Sequence, residues 1–174
     1  VREEFEAAEI PYPSAGERVA HLRHVTTYLN GVAPTIPLLI AGNGDKVLTI
    51  AAQHADIIGF TGGGLPDGSG TDPMAERVDF VRGAAGDRFA DLELNLAITA
   101  VPTDSSGIPD LTLTRAYFPG ASDEQLMAMP TVLSGTPTDI VDTLRRLRDS
   151  YGGTYFTVQD YHGPYFAEAI SALR

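Results

Sequence analysis

The stretch Ile36-Pro37-Leu38-Leu39-Ile40-Ala41-Gly42-Asn43-Gly44 decides the fold class, because an apolar run ends there in a Gly-Asn-Gly corner. An amphipathic segment begins at Asp45, so the pattern predicts a strand over residues 37–41, a glycine turn and a helix to about His54. Glycines let the backbone turn sharply and leave consecutive N–H groups exposed at the start of a helix. Such a helix start can hold a phosphate or another anion. The plainer interpretation is a βα turn that needs glycine only for its backbone angles.

The rest of the chain alternates between helix and strand signals. Ser14, with Glu17 three residues later, predicts a helix from about Gly16 to Leu29, which Asn30-Gly31 would end. Residues 102–120 combine proline, glycine and serine without periodicity, and we expect a long irregular insertion there. The other predicted strands cover residues 57–60, 92–101 and 154–158, and the other helices begin at Asp72-Pro73, Ser122, Thr136-Pro137 (expected to be the longest) and Phe166.

This order predicts a single α/β domain over residues 1–174, in which a helical start is followed by four β-α units. A crossover between parallel strands is right-handed almost without exception. Four such units can lie in a doubly wound sheet, or they can form half of an eight-stranded barrel. Hydrophobic periodicity does not separate the two architectures.

Composition and charge exclude several classes of function. The formal net charge of −11 predicts that the chain repels nucleic acid and anionic lipid, and no apolar run approaches the length that spans a membrane. The absence of cysteine excludes disulfides and thiolate metal ligands, and it fits a cytoplasmic protein. His21 and His24 have no third ligand nearby, so we predict no metal site. The basic cluster Arg145-Arg146-x-Arg148 is interpreted as a solvated helix face with ion pairs to neighbouring aspartates.

Four motifs occur in one order along the chain: Arg2-Glu3-Glu4-Phe5 with Ile10-Pro11, then Pro37–Gly44, then Ala51-Ala52-x-x-Ala55-Asp56, then Met129-Pro130-Thr131-Val132-Leu133-x-Gly135-Thr136-Pro137. Together they resemble the bacterial luciferase-like monooxygenase superfamily, and most of all its branch of oxidoreductases that use the deazaflavin coenzyme F420. Members of that family form a (β/α)8 TIM barrel nearly twice as long. The resemblance therefore implies that this chain corresponds to the second half, strands 5–8. Because it begins with Val1 and not with Met, we also expect a fragment or a shortened product.

The resemblance implies an oxidoreductase that transfers hydride between coenzyme F420, or alternatively FMN, and an unknown organic small molecule. It places the phosphate of the coenzyme in the Gly-Asn-Gly corner, beside a small residue that lets the ligand approach. The end of the next strand, through Gly63, is expected to reach the same phosphate or the ring edge, unless it is only a flexible loop. The predicted cofactor-binding residues are Ala41, Gly42, Asn43, Gly44, Thr61 and Gly62.

Asp160 and His162 are the candidates for proton transfer, because a histidine two positions from an aspartate after a strand can serve general acid–base catalysis. A surface loop is the plainer interpretation. Asn95 and Thr99 are polar residues in an apolar strand, on the side opposite its leucines. In a barrel they would face the lumen, where polar groups serve a ligand; the alternative is contact with a neighbouring helix.

A second hypothesis is non-enzymatic. Four strands of a barrel leave two sheet edges unpaired and one apolar face open. We therefore expect a homo-oligomer, or a chain that pairs with a missing N-terminal half. In that case the chain is a catalytically incomplete half-barrel that acts only as a structural unit.

Overall fold

Four strands pair into one parallel sheet in the computed structural model, which describes residues 2–62, 64–65 and 70–173. The strands are β1 (Leu39–Ala41), β2 (Ile57–Phe60), β3 (Glu93–Ala97) and β4 (Gly153–Thr157). The α-helices are α1 (Arg2–Ala7), α2 (Ala15–Val32), α3 (Asp45–His54), α4 (Pro73–Ala85), α5 (Thr112–Tyr117), α6 (Asp123–Met127), α7 (Pro137–Tyr151) and α8 (Gly163–Leu173), with 3-10 turns at Gly86–Asp91 and Asp160–His162. The predicted α/β class is confirmed.

The strand order is β1-β2-β3-β4, so every strand lies beside its neighbours in sequence, and all pairs are parallel. A doubly wound sheet contains a point at which the strand order reverses, and the described strands contain no such point. Right-handed crossovers in a sequential sheet put the connecting helices on one face. The arrangement is consistent with half of a TIM barrel, and the described strands lack the order reversal of the doubly wound alternative.

Local capping chemistry fixes most of the helix starts. Ser14 forms a capping box with Glu17, and Thr136 forms one with Asp139, directly before Pro137. The Asp72 carboxylate accepts from two amides of the first turn of α4. The helix starts that the sequence predicts at these three positions are therefore confirmed. In the described part of the chain, none of the helices combines the length and the apolar character needed to cross a membrane.

Four predictions about these elements are wrong: the end of α2, the choice of the longest helix, the end of β3 and the irregular character of the insertion. Helix α2 continues through Asn30-Gly31 to Val32, and with 18 residues it is longer than α7 with 15. The Asn30 side chain donates to the carbonyl of His54 at 3.0 Å, so a contact with α3 holds this last turn against the helix-breaking tendency of glycine. Strand β3 ends at Ala97, because the Thr99 amide donates to the carbonyl of Thr131, which follows the insertion, at 2.8 Å and so leaves the sheet. The insertion itself contains helix α5.

One face of the sheet carries the core. Ile40, Ile58, Phe60, Leu94 and Leu96 are buried, and they belong to one cluster with apolar residues of α3, α4, α7 and α8. A smaller buried cluster is formed by Ala100 and residues of the segment 121–132, and the insertion packs against it through Leu111 and Phe118. The helices are thus held to the sheet by apolar burial on one side.

The opposite face of the sheet lies open in part. Leu39 is 45% exposed and Tyr155 is 39% exposed, although both lie in strands. Ala41 is also exposed, and Ile57 is half-buried. In register, Ala41 stands beside Gly59, which stands beside Asn95, so these residues share this open face. An exposed apolar face of this kind is typical of a surface that is covered by another element.

Strands β1 and β2 approach each other closely at Gly59. A Cβ added there would lie 2.8 Å from the Cβ of Ala41 and 3.4 Å from its Cα. Opposed side chains in a sheet normally keep their Cβ atoms about 4.5–5.5 Å apart. Glycine at position 59 therefore allows the tight approach that sets β1 and the corner after it.

We predict that Gly59→Ala lowers the free energy of unfolding by about 1–3 kcal/mol, because the added methyl group forces β1 away from β2. Gly83→Ala is the matched control, since its added Cβ meets nothing within 4 Å, and alanine there favours helix α4 by up to about 1 kcal/mol. Urea denaturation measures the free energy of unfolding of both variants. Equal stability of the Gly59→Ala chain and the unsubstituted chain would contradict the prediction.

Candidate functional site

The Gly-Asn-Gly corner joins β1 to α3 at the carboxyl edge of the sheet. The Gly42 amide donates to the carbonyl of Gly59 at 3.2 Å, so this N–H belongs to the sheet and is not available to a ligand. Gly44 is the N-cap of α3, and no side chain caps the helix there. Its carbonyl accepts from Val47 and Leu48 at 2.9 and 3.0 Å. Asn43 and Gly44 are exposed, so the corner is accessible from outside.

The first amides of α3 remain without a protein acceptor. Because the first N–H groups of a helix have no carbonyl before them, they need a cap, water or a ligand. In the described ranges, nothing in the protein accepts from the amides of Asp45 and Lys46. The positive end of the helix dipole lies at the same place. The corner therefore offers two N–H donors in a positive local field.

The corner is tied to the end of the neighbouring strand. The Asn43 side chain donates to the hydroxyl of Thr61 at 2.7 Å, which joins the residues that follow β1 to those that follow β2. Gly62 is buried with φ +92, and an added Cβ would lie 3.1 Å from the hydroxyl of Thr131. Thr61 thus lies beside the corner, as expected, whereas Gly62 is buried against Thr131 and is not open to a ligand at the corner, and Gly63 lies outside the described residues.

Arg77 is a residue of this site that sequence reasoning missed. Its guanidinium lies 2.7 Å from the Asp45 carboxylate and 3.4 Å from the carbonyl of Asn43. The Arg77 side chain is only 25% exposed, and its guanidinium lies 5.5 Å from the centre of the Phe80 ring. A carboxylate at position 45 alone would repel an anion, so Arg77 offsets this charge beside the open amides. No local pattern marks Arg77, because the contact depends on the packing of α4 against α3.

Asp160 and His162 are not brought together as a catalytic pair. Asp160 is exposed and accepts from the amide of Tyr161 at 2.9 Å. His162 is fully buried, and neither ring nitrogen has a hydrogen-bond partner in the described part of the protein. Burial lowers the pKa of His162, and the more weakly acting Asp110 carboxylate opposes this shift. His162 is therefore a neutral ring beneath the surface, and it does not lie in the surface loop of the plainer interpretation.

The polar residues of β3 and its extension have structural partners. Asn95 is buried and donates to the carbonyl of Tyr155 at 3.1 Å, where the register between β3 and β4 shifts. The Thr99 hydroxyl lies 3.2 Å from that of Thr131 and accepts from that of Thr114 at 3.0 Å. These three buried hydroxyl groups fasten the insertion to the end of β3. Asn95 does lie on the open face of the sheet, as predicted.

The sequence matches no protein-family model and no curated protein. Solved structures of similar fold do exist. One is an F420-dependent secondary alcohol dehydrogenase in complex with an F420-acetone adduct, at 12% identity and a TM-score of 0.63, covering 94% of this chain and 64% of that one. Another is the coenzyme F420 dependent tetrahydromethanopterin reductase from Methanopyrus kandleri, at 14% identity and a TM-score of 0.54, covering 81% of this chain and 52% of that one.

A long-chain alkane monooxygenase, LadA, also matches, with 16% identity, a TM-score of 0.49 and coverage of 76% of this chain and 38% of that one. The two F420-dependent enzymes share the fold of this chain, so the resemblance stated from the sequence is confirmed at the level of the fold. The chain spans between 38% and 64% of the length of these three proteins.

We predict that the free energy of unfolding falls as the pH drops below about 6.5, the ordinary pKa of histidine. The folded protein lowers the pKa of His162, so in this window the unfolded chain binds more protons than the folded one, and acid favours unfolding. His162→Phe keeps a buried ring without titrating nitrogens and should flatten this part of the profile. His21→Gln, at an exposed position, should keep the original slope. Chemical denaturation at a series of pH values measures the free energy of unfolding of each chain. If it falls with pH equally steeply for His162→Phe and the unsubstituted chain, the prediction is contradicted.

Proposed function

We propose that this chain is the second half, strands 5–8, of a luciferase-like β/α-barrel oxidoreductase, and that its Gly-Asn-Gly corner binds the phosphate of coenzyme F420 or FMN. The observation that carries the proposal is the exposed corner with two uncapped amides at the carboxyl edge of a sequential parallel sheet. Functional groups of β/α barrels lie at that edge. The likeness in fold to two F420-dependent enzymes supports the choice of coenzyme.

The donors at the corner fit a phosphate. The amides of Asp45 and Lys46 supply two N–H groups, and the Asn43 side chain and the Thr61 hydroxyl lie directly beside them. Nothing lies within 4 Å of a Cβ added at Gly44, so a bulky anion has room to approach the backbone. The net charge of −11 opposes anion binding, and the ion pair of Arg77 with Asp45 removes the nearest uncompensated negative charge.

A bound deazaflavin or flavin would supply hydride exchange with an organic substrate, and the protein would orient the ring and exclude water. Residues of this chain that face the same edge are Thr61 and the exposed Asp160. We keep Asp160 as the candidate for holding the substrate proton, because it is accessible. His162 has this role only if a substrate or a completing half uncovers its ring, since it is buried in the chain alone.

We also propose that the open sheet face is covered by a second half-barrel, either a separate N-terminal half or a further copy of this chain. The partly exposed Leu39 and Tyr155 support this proposal, because the opposite face of the same sheet carries the buried core. If no coenzyme binds, the same surface supports the alternative function, a structural unit that is completed by its partner.

Gly44→Ala should weaken coenzyme binding by about tenfold, because the methyl group occupies the space through which a phosphate approaches the amides. The backbone angle of φ −80 accommodates alanine, so loss of the N-cap glycine should cost less than about 1 kcal/mol of stability. Titration of the chain with F420 and, separately, with FMN, followed by the fluorescence of each coenzyme, measures the affinity.

Gly83→Ala is the control for this titration, since Gly83 lies on α4 away from the corner and its added Cβ has open space. It should leave the affinity unchanged. If neither coenzyme binds even at high concentration, the oxidoreductase proposal fails. If Gly44→Ala and the unsubstituted chain bind alike, the corner is not the site.

In the absence of a first half, we expect the chain to self-associate through the open face. Leu39→Lys places a charge on that face and should shift sedimentation toward the monomer. Ile108→Lys is the control, because Ile108 is 71% exposed on the insertion and lies outside the sheet. A well-behaved monomer of the unsubstituted chain, with little response of the dye ANS, would refute the covered-face proposal.

A further inference from the structure

All three methionines of the chain line one cavity. The sequence contains Met74, Met127 and Met129 and no other methionine. Each of them lines a cavity of about 480 Å³, which the start of α4 and the second half of α7 also border. Met74 and Met129 are buried, whereas Met127 is 39% exposed. A volume of this size is typical of small-molecule sites. Methionine side chains are flexible and polarisable, and they adapt to apolar ligands of varied shape.

One arginine on the cavity wall has no acidic partner. Of the three arginines in the basic cluster of α7, Arg145 pairs with Asp142 at 3.2 Å and Arg148 pairs with Asp149 at 2.8 Å. Arg146 donates only to the hydroxyl of Thr143, at 2.8 Å, and forms no ion pair within the described ranges. All three arginines are exposed, as the solvated-face interpretation predicts, but only Arg145 has the expected i,i+3 ion pair, Arg148 pairs with the adjacent aspartate, and Arg146 lines the cavity. Most of its donors remain available.

The carboxylate in the cavity wall is already committed. Asp72 accepts from the amides of Met74 and Ala75 at 2.9 and 3.1 Å, and its other oxygen accepts from the Tyr151 hydroxyl at 2.7 Å. Burial raises the pKa of Tyr151, so its hydroxyl stays protonated as a donor. The Asp72 charge is thus satisfied by the helix cap and the phenol. Among the charged side chains of the described cavity wall, the one whose charge is not satisfied in this way is therefore Arg146.

We propose that this cavity binds a medium-chain carboxylate, with the alkyl chain against the exposed side chain of Met127, over a wall that also contains the buried Met74 and Met129, and with the carboxylate on the exposed Arg146. Guanidinium and carboxylate form paired, charge-assisted hydrogen bonds. The cavity borders the Gly-Asn-Gly corner at Gly62, but its described wall does not include Asn43, Gly44 or Arg77. The cavity shares only Gly62 with the residues predicted to bind the coenzyme, and its described wall also lacks Asp45 and Lys46, so the proposal does not depend on coenzyme binding.

The three methionines also provide the measurement. With ¹³C-methyl methionine in the full chain, all three methyl resonances report on this cavity, and sodium octanoate is the probe. We expect saturable shifts of these resonances below the micelle threshold of octanoate. Arg146→Gln should weaken the affinity about tenfold or more, whereas Arg145→Gln, which removes a neighbouring paired arginine outside the cavity wall, should leave it unchanged. Arg146→Lys keeps the positive charge and should retain most of the binding.

Ligand charge gives the second comparison. Octan-1-ol and octylammonium have the same chain with a neutral and a positive head group, and both should bind more weakly than octanoate. Unshifted methyl resonances in the unsubstituted chain would overturn the proposal. So would octanol or octylammonium binding as tightly as octanoate, or equal weakening by Arg145→Gln and Arg146→Gln. Circular dichroism shows that each variant is folded, and if Arg146→Gln fails to fold, the ligand comparison and Arg146→Lys decide the question.

Discussion

Sequential parallel pairing of the four strands is the constraint on which the rest of the structure depends. Because each strand pairs with its neighbour in sequence, all carboxyl ends lie at one edge of the sheet, and right-handed crossovers place the helices on one face. This single arrangement puts the residues after β1 beside those after β2, where Asn43 and Thr61 form their hydrogen bond. It also leaves Leu39 and Tyr155 on a face that the chain itself does not cover. The candidate site and the open face are therefore two consequences of one topology.

Opposing electrostatic effects act on an anion at the candidate site of this acidic protein. Open amides and a helix dipole favour an anion at the corner, whereas the Asp45 carboxylate opposes it. Arg77 reduces this opposition through its contact with Asp45 and holds its guanidinium near the Asn43 carbonyl. The apolar contact with the Phe80 ring limits the freedom of the arginine. These contacts make the proposed binding of an anion compatible with the net charge of −11.

Features set by neighbouring residues could be predicted from the sequence, and features set by distant contacts could not. A few adjacent residues determine the helix caps at Ser14 and Thr136 and the bounds of α3. These predictions are confirmed. The Gly-Asn-Gly corner was found for the same reason. The last turn of α2 depends on a hydrogen bond from Asn30 to another helix, and Arg77 reaches the corner across two packed helices. The burial of His162 likewise follows from tertiary packing, so a histidine near an aspartate in sequence gave no information about their separation.

The central claim is that the amides at the start of α3 bind a phosphate group, and amide NMR tests it most directly. In a titration of the ¹⁵N-labelled chain with inorganic phosphate and then with FMN, the account predicts that the N–H resonances of Asp45 and Lys46 move the most, because they lose solvent and gain a charged acceptor. The amide of Gly42 should move little, since it stays bonded to Gly59. Resonances of Asp45 and Lys46 that remain still while phosphate or FMN shifts amides elsewhere, or shifts none, would contradict the account.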